Sequence, residues 1–167
     1  MPIHFNDVDI MSEVSGLDSV LIVPCYMCPA VTVAIRENKP FIQLFKGFFR
    51  SPPFAAYIRQ MQSRLNQNGI RTHVFKSFFY HQWFMCIWTA RRRKKLRRHL
   101  AHYSAVIVLG CSSATETVRQ LAASEDCKVI EAMKPVGITN AKPRFCFPCN
   151  IYFEDGKTVP YGASKAQ

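Results

Sequence analysis

The stretch SVLIVPCYMCPA, residues 19–30, decides the fold. Its centre, Val20 to Val23, is a continuous apolar run bounded by Asp18-Ser19 and Pro24, the pattern of a strand covered on both faces. Such strands belong to parallel sheets, whose crossover connections supply the covering helices. A second run of this kind, Ser104 to Leu109, leads through Gly110-Cys111-Ser112-Ser113 into the helix-like ATETVRQLAAS. There Ser112 or Ser113 suits an N-cap, with Glu116 placed for a capping box. Ile70 to Phe75 alternates as a third strand and Cys127 to Glu131 reads as a short fourth.

The segments between these runs are helical. In FAAYIRQMQSRLNQNG, Phe54, Tyr57, Ile58, Met61 and Leu65 keep three-and-four spacing, and Asn68-Gly69 supplies the stop. Ahead of it, Pro52-Pro53 ends the Phe-rich segment FIQLFKGFFR. FFYHQWFMCIWTARRRKKLRRHLAHY starts as a loop and predicts a helix over Trp83 to Tyr103. Strand and helix alternate, so the expected fold is α/β: a three-layer, flavodoxin-like or Rossmann-like arrangement with about four parallel strands and helices on both faces. A C-terminal β-hairpin is expected around Asp155-Gly156 in CFPCNIYFEDGKTVPYG. The chain reads as a single domain over residues 1–167, with 1–15 and 163–167 as mobile ends.

Composition excludes several classes. Hydrophobic residues make up 49% and charged residues 20%, which is ordinary for a globular chain and opposed to extended disorder. No run approaches the roughly 20 apolar residues of a spanning helix, and the acidic N-terminus MPIHFNDVDIMSEV does not suit a signal peptide. The reading is a cytoplasmic protein. Seven cysteines, an odd number, fit reduced thiols or metal ligands better than complete disulfide pairing.

Parallel strands present their carboxyl ends on one edge, so residues that follow different strands converge there. Cys25 and Cys28 follow the first run, Cys111 follows the second, and Cys146 and Cys149 lie beyond the fourth strand. Cys86 could reach the same edge through its loop, whereas Cys127 precedes a strand and belongs to the opposite edge. Two Cys-x-x-Cys pairs suit tetrahedral zinc, and iron–sulfur ligation draws on the same residues. Two other readings stand beside a metal site: buried thiols lining the sheet edge, and a redox pair at Cys25-Tyr-Met-Cys28-Pro29 placed at a helix start.

A first strand ending in Cys-x-x-Cys, a lone Cys after the next, a Leu-Gly-Cys strand end with small residues, and a late Cys-x-x-Cys together resemble the cysteine-rich domain associated with methylenetetrahydrofolate reductases. The resemblance runs from about Ser19 to Cys149. It implies an accessory zinc-binding role in one-carbon metabolism, as a domain or small partner subunit, with Cys25, Cys28, Cys86, Cys111, Cys146 and Cys149 as ligands. A reductase or methyl-transfer subunit is then the implied protein partner.

Two other features carry alternatives. The turn bearing Ser112, Ser113 and Thr115 could receive a phosphate of a flavin or nucleotide, although helix capping is the simpler reading. Arg91 to Arg98 holds seven cations in eight residues within a chain of net charge +11. The run reads first as a solvated helix whose C-terminal half the dipole favours, and second as docking to an acidic protein or, less favoured, nucleic acid. The expected function is an accessory metal-binding subunit of one-carbon or redox metabolism. A thiol or flavin oxidoreductase and a basic docking module are the alternatives, and self-association is compatible with each.

Overall fold

The computed structural model describes residues 2–43, 51–76, 83–123 and 126–162. Along the chain run β1 (Ile3–Asp7), α1 (Met11–Val14), β2 (Ser19–Pro24), α2 (Cys28–Arg36), β3 (Ile42–Gln43), α3 (Pro52–Gln67) and β4 (Arg71–Val74). A 3-10 turn at Met85–Ile87 precedes α4 (Ala90–Leu100), β5 (Ala105–Leu109), α5 (Ser112–Ala122), β6 (Lys128–Glu131), β7 (Met133–Cys146) and β8 (Asn150–Pro160).

The four expected parallel strands form one sheet in the order β4-β2-β5-β6. β2 and β5 are buried along their full length, as their unbroken apolar sequences require. Side chains alternate between two cores. Val20, Ile22, Ile107 and Leu109 meet α2 and α3 through Val31, Val33, Phe54 and Ile58. Leu21, Val23, Val106 and Val108 meet α4 and α5 through Leu96, Leu100, Val118 and Leu121.

A second, antiparallel sheet of order β1-β7-β8-β3 joins this one, where a terminal hairpin alone was expected. β1, in a stretch expected to be mobile, is held by pairing with β7 from Ile3↔Ile138 to Asp7↔Met133. The hairpin turns at Cys146–Asn150, not at Asp155-Gly156. Asp155 and Gly156 instead oppose the single residue Ala141 where the register shifts between Asn140 and Lys142, with Asp155 in the left-handed region at φ 51°. The dipeptide forms a bulge, which kinks a ladder too long to stay flat. Gly156 is required there, since a Cβ would come within 2.8 Å of Ile35 Cγ2 on α2.

Three helix ends differ from expectation. Pro52-Pro53 open α3 instead of preceding it, because proline lacks an N–H that the first turn would leave unbonded anyway. Cys111, not Ser112 or Ser113, is the N-cap of α5, and no side chain caps that end. Glu116 bonds Arg119 and Gln120 in place of a capping box. The helix expected over Trp83 to Tyr103 covers Ala90–Leu100. Arg91, Arg92 and Arg93 therefore stand in the first turn, where the helix dipole opposes positive charge.

Among the described residues no helix is long and apolar enough to cross a membrane.

Candidate functional site

From β2 the chain leaves through α2 and α3 on one face of the parallel sheet, while from β5 it leaves through α5 on the other. The connections therefore diverge at the carboxyl ends of these adjacent strands, the position at which an open α/β sheet usually places its ligand crevice. Cys25 directly follows β2, Cys28 begins α2, and Cys111 caps α5. The Cys25 N–H donates to the Leu109 carbonyl at 2.8 Å, locking the two strand ends together. Gly110 fits between them: a Cβ there would stand 3.6 Å from the Cys25 Cβ and 2.6 Å from the Ala114 Cβ.

Cys25 is buried, and its Sγ donates to the Trp83 carbonyl at 3.2 Å. Burial pushes its thiol up to about 11, against the backbone N–H groups of Met85 and Met27 that bond the sulfur and against which Cys28 and Cys111 add repulsion. Cys28 is half-buried and is also raised, chiefly by burial, with Cys111 and the exposed Cys86 adding to the rise. Its sulfur receives the backbone N–H of Ile3, so β1 reaches the site from the second sheet. Cys111 thus bears on both raised thiols, and Cys86 on Cys28.

The remaining predicted residues lie elsewhere or play other parts. Cys146 and Cys149 bracket the turn of the β7–β8 hairpin in the antiparallel sheet, with Cys149 exposed at φ 73°. They do not follow a strand of the parallel sheet. Cys127 directly precedes β6, as its sequence position implied. Ser112 and Ser113 are exposed in the first turn of α5, and Thr115 is buried, its N–H bonded to the Cys111 carbonyl at 3.0 Å. His81, Phe78 and Phe79, in the aromatic loop expected ahead of the basic helix, fall outside the described residues. The Met27, Met85 and Ile3 amides and the Trp83 carbonyl were invisible to residue-type reasoning, because any residue can supply a backbone group.

A concavity of about 200 Å³ opens away from the cysteines, between β1 and α3. Asp7 accepts from Arg36 at 2.8 Å and from the Tyr57 hydroxyl at 3.0 Å. Burial, then Asp7 itself, holds Tyr57 far above the ordinary tyrosine range, so it remains a donor. These groups satisfy one another, which makes the cluster a tie between the sheets more than a receptor.

The donor chemistry of the crevice fits a thiophilic metal: soft sulfurs, with backbone N–H bonds to two of them that would stabilise thiolate charge. As placed, however, no three His, Cys, Asp or Glu groups among the described residues stand at metal-binding spacing.

The raised Cys25 thiol has a consequence for pH. Its native value lies above the unfolded one of 9.0, so the native state keeps the proton longer. The associated stability is complete below pH 9 and is lost as pH rises toward 11, a loss of roughly 2–3 kcal/mol for a shift of this size. Denaturant unfolding near pH 8 and near pH 10.5 should show a larger alkaline loss for the wild type than for Cys25→Ala; equal losses would contradict the assignment.

Comparison with known proteins gives no match: no protein family, curated protein or solved structure matches the chain.

Proposed function

We propose that the chain is an accessory metal-binding subunit of one-carbon or redox metabolism, and that the crevice of Cys25, Cys28 and Cys111, with Cys86 at its rim, is its working site. The convergence of these cysteines from three separate segments at the divergence of the β2 and β5 connections carries this reading. The parallel strand order β4-β2-β5-β6 with helices packed on both faces is compatible with a flavodoxin-like arrangement, which supports placing the site at the strand ends. Zinc or an iron–sulfur cluster is the cargo that the donor set suits. A reductase or methyl-transfer subunit is the corresponding partner.

The raised Cys25 and Cys28 thiols favour this over a thiol oxidoreductase. A catalytic thiol has to be a thiolate near neutral pH, whereas these are protonated until a metal displaces their protons. Since the sulfurs stand apart, loading requires them to close on the ion.

Protein purified without chelator should contain close to one zinc per chain, or absorb near about 400 nm for an iron–sulfur cluster. Cys25→Ser combined with Cys111→Ser should lower the metal to near zero. Metal-free wild type with freely titrating thiols, or full metal content in the double variant, would overturn the reading in favour of buried structural thiols.

A further inference from the structure

The acidic residues are unevenly placed. Between Glu37 and Glu116 the sequence contains fourteen Lys and Arg and no Asp or Glu. The other two parts of the chain hold all eleven acids against eight cations. The fold gathers most of the acid-free segment on one flank. β4 is an edge strand of the parallel sheet, α3 packs on one face beside it, and α4 on the other. Contacts of Phe75 with Lys95 and His99, and of His73 with Tyr103, join the β4 edge to α4.

Lys95 lies over the Phe75 ring and Arg92 over the Trp88 ring, and most other cations of this flank stand apart from carboxylates among the described residues. Among the described residues no carboxylate lies within ion-pair distance of Arg91, Arg93, Lys94, Arg97 or Arg98 on α4. The same holds for Arg59, Arg71 and Lys76 on α3 and the β4 edge. The first turn of α4 holds three arginines and no acidic residue, against the dipole. An arrangement that works against the stability of the isolated helix points to an outside anion.

We infer that this flank binds the phosphate backbone of a nucleic-acid duplex, without reading bases. α4 spans about 16 Å, a length over which a duplex presents about ten negative charges, so the seven cations of the helix meet a matching density. Most of those cations are arginines, whose guanidinium forks suit phosphate oxygens. A membrane surface fits less well, since Leu96 and Leu100 are wholly buried and α4 has no apolar face to insert. A single strand also fits less well: among the described residues, Phe75 and Trp88 against α4 are buried and offer no stacking platform. The inference is independent of the thiol crevice.

The test uses the full chain and a labelled duplex of about 20 base pairs, titrated from about 50 to 200 mM salt. The wild type should bind with a steep salt dependence. Changing Arg91, Arg93, Lys94, Arg97 and Arg98 to Gln should weaken binding at low salt by about tenfold or more, and flatten the log–log slope by about three units or more. The melting temperature should hold or rise, and Cys25→Ser should bind as the wild type does. An unchanged slope in the five-site variant would overturn the proposal. So would equal or tighter binding to single strands, to polyglutamate, or to vesicles containing phosphatidylserine.

Discussion

Phe54→Ala is expected to destabilise the protein by about 3–5 kcal/mol. Phe54 is fully buried at the start of α3, in the core formed with Val20 and Ile22 of the parallel sheet. Its ring meets Tyr26 edge-on at 5.2 Å and stacks on Tyr57 at 6.1 Å. Removing it leaves a cavity in this core beside two aromatic rings, whose rigid planes collapse poorly into the space. Tyr26 lies between Cys25 and Cys28, so the loss extends to the turn that sets the cysteine spacing. Thermal unfolding should show a fall of about 10 °C. A change below about 1 kcal/mol would mean that Phe54 is not the anchor of this face. Phe54→Leu should recover most of the loss, because it restores volume without the ring contacts.

Gly110→Ala should cost about 1–3 kcal/mol and disturb the crevice as well. The new methyl group would stand 2.6 Å from the Ala114 Cβ, an atom fixed to helix backbone and unable to turn aside. Either α5 moves away from the sheet or the β5 end shifts toward Cys25, 3.6 Å off on the other side. Both responses move Cys111, the residue on which α5 begins. Combining the change with Ala114→Gly removes the opposing methyl and should restore most of the stability. Failure of that rescue would show that the cost arises elsewhere.

The parts of this fold that were legible in sequence are those whose side chains report their surroundings directly. β2 and β5 are covered on both faces and therefore consist of unbroken apolar runs. α3 is amphipathic and shows its period. The antiparallel sheet lacks such a signal. β7 contains two prolines and a glycine and is mostly exposed beyond Thr139, so it does not alternate cleanly. Its partner β1 comes from the far end of the chain, and local pattern cannot announce a long-range pairing. Asp155-Gly156 is equally at home in a turn and in a bulge, and ladder length decided between them. In the crevice, the strand-end rule located Cys25, Cys28 and Cys111. It misplaced Cys146 and Cys149, because β7 carries them into the other sheet.

The pairing of β1 with β7 also orders events during synthesis. Every strand of the parallel sheet, and every helix that covers it, has emerged once Glu131 leaves the ribosome. β1 precedes the parallel sheet in the chain, yet its partner Met133–Ile138 and the rest of the hairpin follow it. Until then β1 has no ladder to join, and the side of α2 that later meets β1 through Thr32, and β8 through Ile35, faces solvent. A chain halted between these points would hold a completed parallel sheet beside an unpaired N-terminal strand, the kind of free edge that draws a second nascent chain. Closing the ladder is a late step with a high loop-closure cost. Pairing with β7 then covers that edge of β1.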